Sequence, residues 1–436
     1  MSFFANEMID MDLKYIWHPC TQMKDHENIP LVAIKSAKGV YLNDYNDNSY
    51  IDGVSSWWVN LFGHCNDYIG SKIKQQLDTL EHVIFAGFTH EPIVTLSQRL
   101  CQLAPEGLCK CFYADNGSSG VEIALKMSFQ YHKNSGKIRP FFLSLENSYH
   151  GETLGALSVG DVTLYKDVFN EIIIKTIQTS SPKNQTIDEA KRAACELEKL
   201  LKQRGDEISA FIIEPLVQCA GSMKMYHPLY VTLARELCTK YGVHLIADEV
   251  AVGFGRTGTM FACEQASVSP DFMVLSKGIT GGYLPLCVVL TTQDVYDRFY
   301  CDYLEYKAFL HSHSYTGNPL ACVAANAVLD IFENENVIQN NQKTIAYIAE
   351  KLKKFEGLSN VQEVRQTGMV SAIELCGYSP QERVGLKIFE YALARGVLLR
   401  PLGNVIYFMP PYIITCKEID KVLDTAYDAI SSLVLL

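Results

Sequence analysis

Short apolar runs alternate with amphipathic stretches through the middle of the chain. Residues 111–114, 141–145, 210–213, 243–247, 272–275 and 286–290 are compact and apolar, and several end in a polar residue or glycine. Such runs predict strands buried on both faces. Between them, 119–132 and 229–241 carry apolar residues at helical spacing. Strand and helix in alternation predict an α/β fold with a mainly parallel sheet, in which ligands bind beyond the carboxyl ends of the strands. The two ends of the chain read differently. Helices are predicted over 319–333, 337–355, 381–394 and 417–433, and short strands over 31–36, 40–43, 397–399 and 405–408. The expected organisation is a large domain over 61–330 and a smaller α+β domain formed by 1–60 with 331–436.

Composition narrows the functional classes. The chain has 436 residues and a net charge of −11, which argues against nucleic acid or an anionic membrane as partner. No stretch approaches the ~18 apolar residues of a membrane span, and the acidic N-terminus does not resemble a signal peptide. The fourteen cysteines include no C-x-x-C and no zinc spacing. A soluble cytoplasmic protein with reduced thiols, packed mostly as small apolar side chains, and with no metal site is expected.

Candidate chemistry lies at the strand ends. The run 243–247 leads into Asp248-Glu249 and a glycine-rich stretch that carries Arg256. The run 272–275 leads through Ser276 to Lys277. Alone, such an Asp more often caps a turn, and such a Lys more often snorkels to the surface. Together they meet the needs of pyridoxal phosphate: an amine to form an imine, and a carboxylate to keep the ring nitrogen protonated. Asp115-Asn116-Gly117-Ser118-Ser119-Gly120 opens a helix after a strand, as a phosphate dianion requires, although a plain Ser cap would look the same. Asn147-Ser148-Tyr149-His150-Gly151 follows another strand and offers an aromatic ring. A dinucleotide-binding fold is disfavoured because no G-x-G-x-x-G opens the first βαβ unit.

These segments resemble the class III pyridoxal-phosphate aminotransferases, which have the aspartate-aminotransferase-like fold (fold type I). The resemblance extends to 15–19, the Ser55-Ser56-Trp57-Trp58 run, 317–322, and Arg400-Pro401-Leu402-Gly403 through Ile414. It implies that Lys277 forms the Schiff base and then moves the proton, and that Asp248 pairs with the ring nitrogen. It implies that Gly117 and Ser118 hold the phosphate and that Tyr149 lies over the ring. Trp57 is then an apolar wall for a long substrate, and Arg400 a clamp for its distant carboxylate.

Within the family the resemblance points to amination of 8-amino-7-oxononanoate to 7,8-diaminononanoate, a step of biotin synthesis, with S-adenosylmethionine as donor. The alternative is an ω-amino acid or diamine donor such as lysine. The segment 311–319 matches a loop that family members donate across a homodimer interface, with Ser312 at a substrate position and His313 and Ser314 at phosphate positions. Ser312 and His313 stand where Gly and Pro are commoner. Cys20 replaces a Tyr whose hydroxyl lies in the substrate site, which bears on the donor. Glu152 replaces an Asp and is expected to affect hydrogen bonds with Arg256.

Overall fold

The apolar runs of the middle of the chain build a seven-stranded sheet. In the computed structural model, which describes residues 3–433, its strands are Leu108–Ala114 (β1), Phe141–Leu145 (β2), Ile177–Thr179 (β3), Ile208–Ile213 (β4), His244–Asp248 (β5), Phe272–Leu275 (β6) and Cys287–Thr292 (β7). Their spatial order is β1-β7-β6-β5-β4-β2-β3. β5 runs parallel to both β6 and β4, and β2 runs parallel to β3 and β4. β7 is antiparallel to its neighbours β6 and β1. Every residue of β4, β5 and β6 is buried, as a sheet covered on both faces requires. Helix Gly117–Asn134 (α1) follows β1 and buries Val121, Ile123 and Ala124 against Ile212, Ile246 and Val274. Helix Leu229–Tyr241 (α2) leads into β5 and stops at Gly242, whose left-handed φ of 62° favours glycine.

The chain divides into two compact units, and the sheet lies in the larger, Tyr68–Ile345 with Arg365–Val370. The division therefore falls after 345 and not at 330/331. Helix Pro319–Glu335 (α3) packs on helix Glu91–Leu103 and on the turn that carries Lys277, which ties it to the larger unit. The smaller unit comprises the chain up to Asp67, Ala346–Val364 and the chain from Ser371 onward. In it, strands Ile34–Lys38, Tyr41–Asp44 and Ser49–Asp52 form an antiparallel meander, and Val397–Leu398 pairs in parallel with the third. Strand Val405–Phe408 pairs antiparallel with Val370–Leu375 over Ser371–Glu374.

Among the described residues, no helix is long and apolar enough to cross a membrane. No group of three His, Cys, Asp or Glu side chains there could hold a metal. The cysteines correct one expectation: only Cys219, Cys238, Cys263, Cys287 and Cys322 are buried, and as many are exposed.

Two histidines inside the larger unit make its stability acid-sensitive. The rings of His132 and His244 lie 4.8 Å apart. His244 Nδ1 meets Ser128 Oγ at 2.8 Å, and His132 Nε2 meets the Ser209 carbonyl at 3.1 Å. Burial pushes His132 down to about 3 and His244 down to about 4. Both are neutral in the fold at pH 7, whereas in the unfolded chain they take up protons near pH 6.5. Unfolding binds protons, so this stability is complete above about pH 6.5 and is lost as pH falls towards 4, by up to about 1.4 kcal/mol per pH unit for each ring. Urea midpoints measured between pH 7 and 5 should fall less steeply in His244→Asn than in the native chain. Parallel slopes would show that the pair does not set the acid limit.

Candidate active site

The carboxyl ends of the parallel strands converge in the larger unit. Asp248 closes β5 and is register partner to Val274 of β6, three residues before Lys277. Two polar groups hold its carboxylate: His150 Nδ1 lies 2.7 Å from Oδ2, and the Val250 N–H donates to Oδ1 at 3.1 Å. The segment after β2 brings His150 there. It also presents the Tyr149 N–H to Glu214 Oε1 at 2.9 Å, while the Cys219 N–H donates to Glu214 Oε2 at 2.9 Å. The Tyr149 hydroxyl donates to Glu152 Oε1 at 3.0 Å. The longer arm of Glu152 thus engages Tyr149 itself.

Glycines allow these segments to meet. Gly151 has φ of 123°, and a Cβ there would lie 2.4 Å from Ser118 Oγ. A Cβ on Gly117 would lie 2.8 Å from Val250 Cγ1. The Asn116 side chain caps α1 by accepting the Ser119 N–H at 2.9 Å, and the first backbone bond runs from the Gly120 N–H to the Asn116 carbonyl. The N–H groups of Gly117 and Ser118 thus precede the first helical bond, at the positive end of an eighteen-residue helix. Ser118 Oγ lies 2.8 Å from Thr153 Oγ1 and accepts the Thr153 N–H at 3.0 Å.

Burial tunes the charges. Desolvation holds the Lys277 amine below the usual lysine range, although Cys219, Asp248 and Glu214 favour its cation. The charge of Arg256 opposes the cation. Glu214 is pushed up to about 7 by burial, against the pull of His150. An amine that sheds its proton readily, beside carboxyls held out of water, is suited to moving protons.

The segment with Ser312, His313 and Ser314 lies elsewhere in the same unit. Thr316 Oγ1 donates to the His313 carbonyl at 2.8 Å, and His311 Nδ1 meets Lys126 Nζ, on the flank of α1, at 2.9 Å. Ser312 and Ser314 are exposed. Among the described residues no hydrogen bond joins this segment to Gly117 or Ser118.

Cys20, Trp57 and Arg400 belong to the smaller unit. Cys20 is exposed. Trp57 is 40 % exposed, and the Arg400 guanidinium lies 4.5 Å above its ring. Four successive residues, Ser55, Ser56, Trp57 and Trp58, have φ of 52°, 45°, 73° and 73°. They form a left-handed turn closed by the Trp58 N–H to the Val54 carbonyl at 2.9 Å and the Val59 N–H to the Ser55 carbonyl at 3.0 Å. Each such residue costs about 1–2 kcal/mol, so the turn needs anchors. Ser55 Oγ donates to the Met409 carbonyl at 2.8 Å, and Ser56 Oγ donates to Asp52 Oδ2 at 2.7 Å. Asp52 is fully buried; burial raises its pKa, but hydrogen bonds from His64 and Ser56 outweigh this and keep it below the ordinary value.

Residues 21–430 match the family model for class-III aminotransferases. The chain belongs to the class-III aminotransferases. It is 54 % identical to the adenosylmethionine-8-amino-7-oxononanoate aminotransferase of Helicobacter pylori, over 96 % of each chain. The crystal structure of the like-named protein of Methanocaldococcus jannaschii superposes with a TM-score of 0.94, at 38 % identity, covering 98 % of this chain and 99 % of that one. A thermostable (S)-enantioselective omega-transaminase of Thermomicrobium roseum superposes with a TM-score of 0.94 at 28 % identity over the whole of both chains. The fold is that of this aminotransferase family, fold type I.

In this aminotransferase, sequence reasoning passed over four residues of the convergence: Glu214, Val250, Thr153, and His150 as the partner of Asp248. Glu214 follows the fully buried strand β4 as Asp248 ends β5, so the strand-end rule that marks Asp248 also marks it. Nothing in the local sequence pairs His150 with Asp248, because that contact spans 98 residues.

Proposed function

We propose that this aminotransferase uses pyridoxal phosphate to aminate 8-amino-7-oxononanoate to 7,8-diaminononanoate, a step of biotin synthesis. The residues present fit the cofactor: a buried carboxylate, an amine two residues beyond the adjoining parallel strand, and a helix N-terminus where Gly117, and Gly151 packed against it, leave no room for a Cβ. Lys277 would hold it covalently, Asp248 would pair with its ring nitrogen, and Gly117 and Ser118 would bind its phosphate. Tyr149 would cover the ring. When bound, the cofactor supplies the electron sink that lets a bond at the amine-bearing carbon break heterolytically. Once a substrate amine displaces it from the cofactor, Lys277, disposed to the neutral amine by desolvation, would be the base placed to move the proton of that carbon. The imidazole N–H of His150 and the backbone N–H of Val250 both donate to the Asp248 carboxylate and fix its orientation.

One observation carries the substrate: the Arg400 guanidinium seated 4.5 Å over Trp57. A cation on an apolar plate matches a long hydrocarbon chain that ends in a carboxylate. The relatives' names favour S-adenosylmethionine as amino donor. Cys20, smaller than a Tyr and a poorer donor, keeps a lysine-type ω-amine as the second reading. Arg256, whose charge acts on Lys277, would help orient the donor. The reading includes a cytoplasmic homodimer in which each chain lends Ser312, His313 and Ser314 to the other's cofactor site. The exposed Tyr303, Leu304, Tyr306, Leu310 and Tyr315 around that segment support it, since an apolar run of this kind is normally covered by a partner.

Mixing the yellow holoenzyme with candidate donors, and watching which one bleaches the cofactor band, identifies the donor. Arg400→Ala should raise KM for the oxononanoate by roughly 10–100-fold, the worth of a paired charge of ~1.5–3 kcal/mol, with a smaller change in kcat. An unchanged KM would place the carboxylate elsewhere.

A further inference from the structure

We infer that Asp52 and Ser56 are positioning residues that lock the left-handed turn and so set the Trp57 ring beneath Arg400. The inference rests on the reading of Trp57 and Arg400 as the substrate's plate and clamp. The lock itself is local. Asp52 ends strand Ser49–Asp52 and is register partner to Leu398, two residues before Arg400. Trp57 lies five residues beyond Asp52. Two chains that leave one strand pair side by side thus meet again as ring and guanidinium, 4.5 Å apart. Between these points the backbone stays left-handed through four residues, none of them glycine or asparagine. Nothing in Ser-Ser-Trp-Trp favours that conformation.

The carboxylate of Asp52 supplies what the residue types lack. It is fully buried and accepts from three groups on the turn side: Ser56 Oγ at 2.7 Å, His64 Nε2 at 3.0 Å and the Val54 N–H at 3.2 Å. Ser55 pins the other edge to the Met409 carbonyl. The Gly53 N–H donates to the Leu398 carbonyl at 3.0 Å and its carbonyl accepts the Met409 N–H at 2.9 Å, which ties the start of the turn to both neighbouring strands. If the turn reverted to right-handed geometry, the indole of Trp57 would swing off the guanidinium, although no residue touching substrate had changed. Asp52 and Ser56 therefore act on specificity through Trp57.

Ser56 gives the test, because its two small replacements have opposite meanings. Ser56→Ala removes the hydroxyl and keeps the Cβ that disfavours a positive φ. Ser56→Gly removes the same hydroxyl but accepts φ of 45° without strain. Steady-state kinetics of the holoenzymes should show KM for the oxononanoate raised roughly tenfold in Ser56→Ala, with kcat within about twofold, and KM within about threefold of native in Ser56→Gly. The near-ultraviolet circular dichroism of the tryptophans should weaken in the first variant and persist in the second. Asp52→Asn should move both readouts as Ser56→Ala does. Equal effects of Ala and Gly would overturn the lock, because the hydroxyl would then matter for its own contacts or not at all. Trp57→Ala separates the two layers. An unchanged KM there refutes the substrate reading, while the dichroism of the Ser56 variants still decides whether the turn is locked.

Discussion

Replacing Lys277 by alanine should lower kcat on the order of 10⁴-fold or more, the scale set by losing a positioned acid–base group together with the covalent hold on the cofactor. The chain should remain folded. Lys277 sits at φ of 46°, so alanine inherits the same backbone geometry with no added strain, and removing an amine whose cation is already disfavoured by desolvation gives up little stability. Neither Cys219 nor Arg256, which act electrostatically on the same amine, can take its place. Desolvation holds Cys219 in its thiol form, above the usual cysteine range, and a guanidinium has no free lone pair with which to accept a proton. Lys277→Arg should therefore be as inactive as Lys277→Ala, although it keeps a positive charge. Turnover assayed by product formation, with a thermal melt alongside, checks both. Activity within tenfold of native in either variant would remove Lys277 from the chemistry.

The elements that were legible in the sequence share one physical feature. Strands β4, β5 and β6 are buried along their whole length, so each shows as an unbroken apolar run that only a covered sheet explains. The same burial made Lys277 and Asp248 conspicuous, because a charge at the end of such a run needs a reason. Ile177–Thr179 was missed because it is a three-residue strand at the sheet's edge. Val361–Thr367 was missed because it reads Val-Gln-Glu-Val-Arg-Gln-Thr and is mostly half-buried. The reversed sense of β7 leaves no mark on periodicity. Only the connection over 276–286 hints at it, being shorter than the dozen or more residues a parallel crossover needs. The helix expected over 381–394 is broken at Arg383, where φ is 49°, again without a glycine to announce it. The left-handed turn at Ser55–Trp58 was invisible for the same reason: its conformation is imposed by Asp52 and Met409, and the second of these lies 354 residues from Ser55.

Asp248→Asn should cost about 10²–10³-fold in kcat, the range for removing one preorganised electrostatic partner from developing charge, with less effect on binding of the cofactor. The substitution is nearly isosteric. The imidazole N–H of His150, 2.7 Å from Oδ2, can still donate to an amide oxygen placed there, while the Val250 N–H, 3.1 Å from Oδ1, then faces the amide NH2 and loses its acceptor, a smaller loss than that of the charge. What disappears is the negative charge, and with it the means of holding a protonated ring nitrogen. The second nearby carboxyl cannot substitute. Glu214 is engaged by the Tyr149 and Cys219 N–H groups and is raised to about 7 by burial, so near neutral pH it carries only part of a charge. His150 sharpens the expectation. Its Nε2 is buried and unpartnered among the described residues, so the ring's one hydrogen bond there is to Asp248. His150→Asn, which keeps a donor near Asp248 but gives up the ring, should cost less than Asp248→Asn because the charge survives. Turnover of both holoenzymes, with cofactor content measured by absorbance, tests the order. If His150→Asn is the more damaged of the two, positioning of the carboxylate outweighs its charge, and the role assigned to Asp248 has to be redrawn.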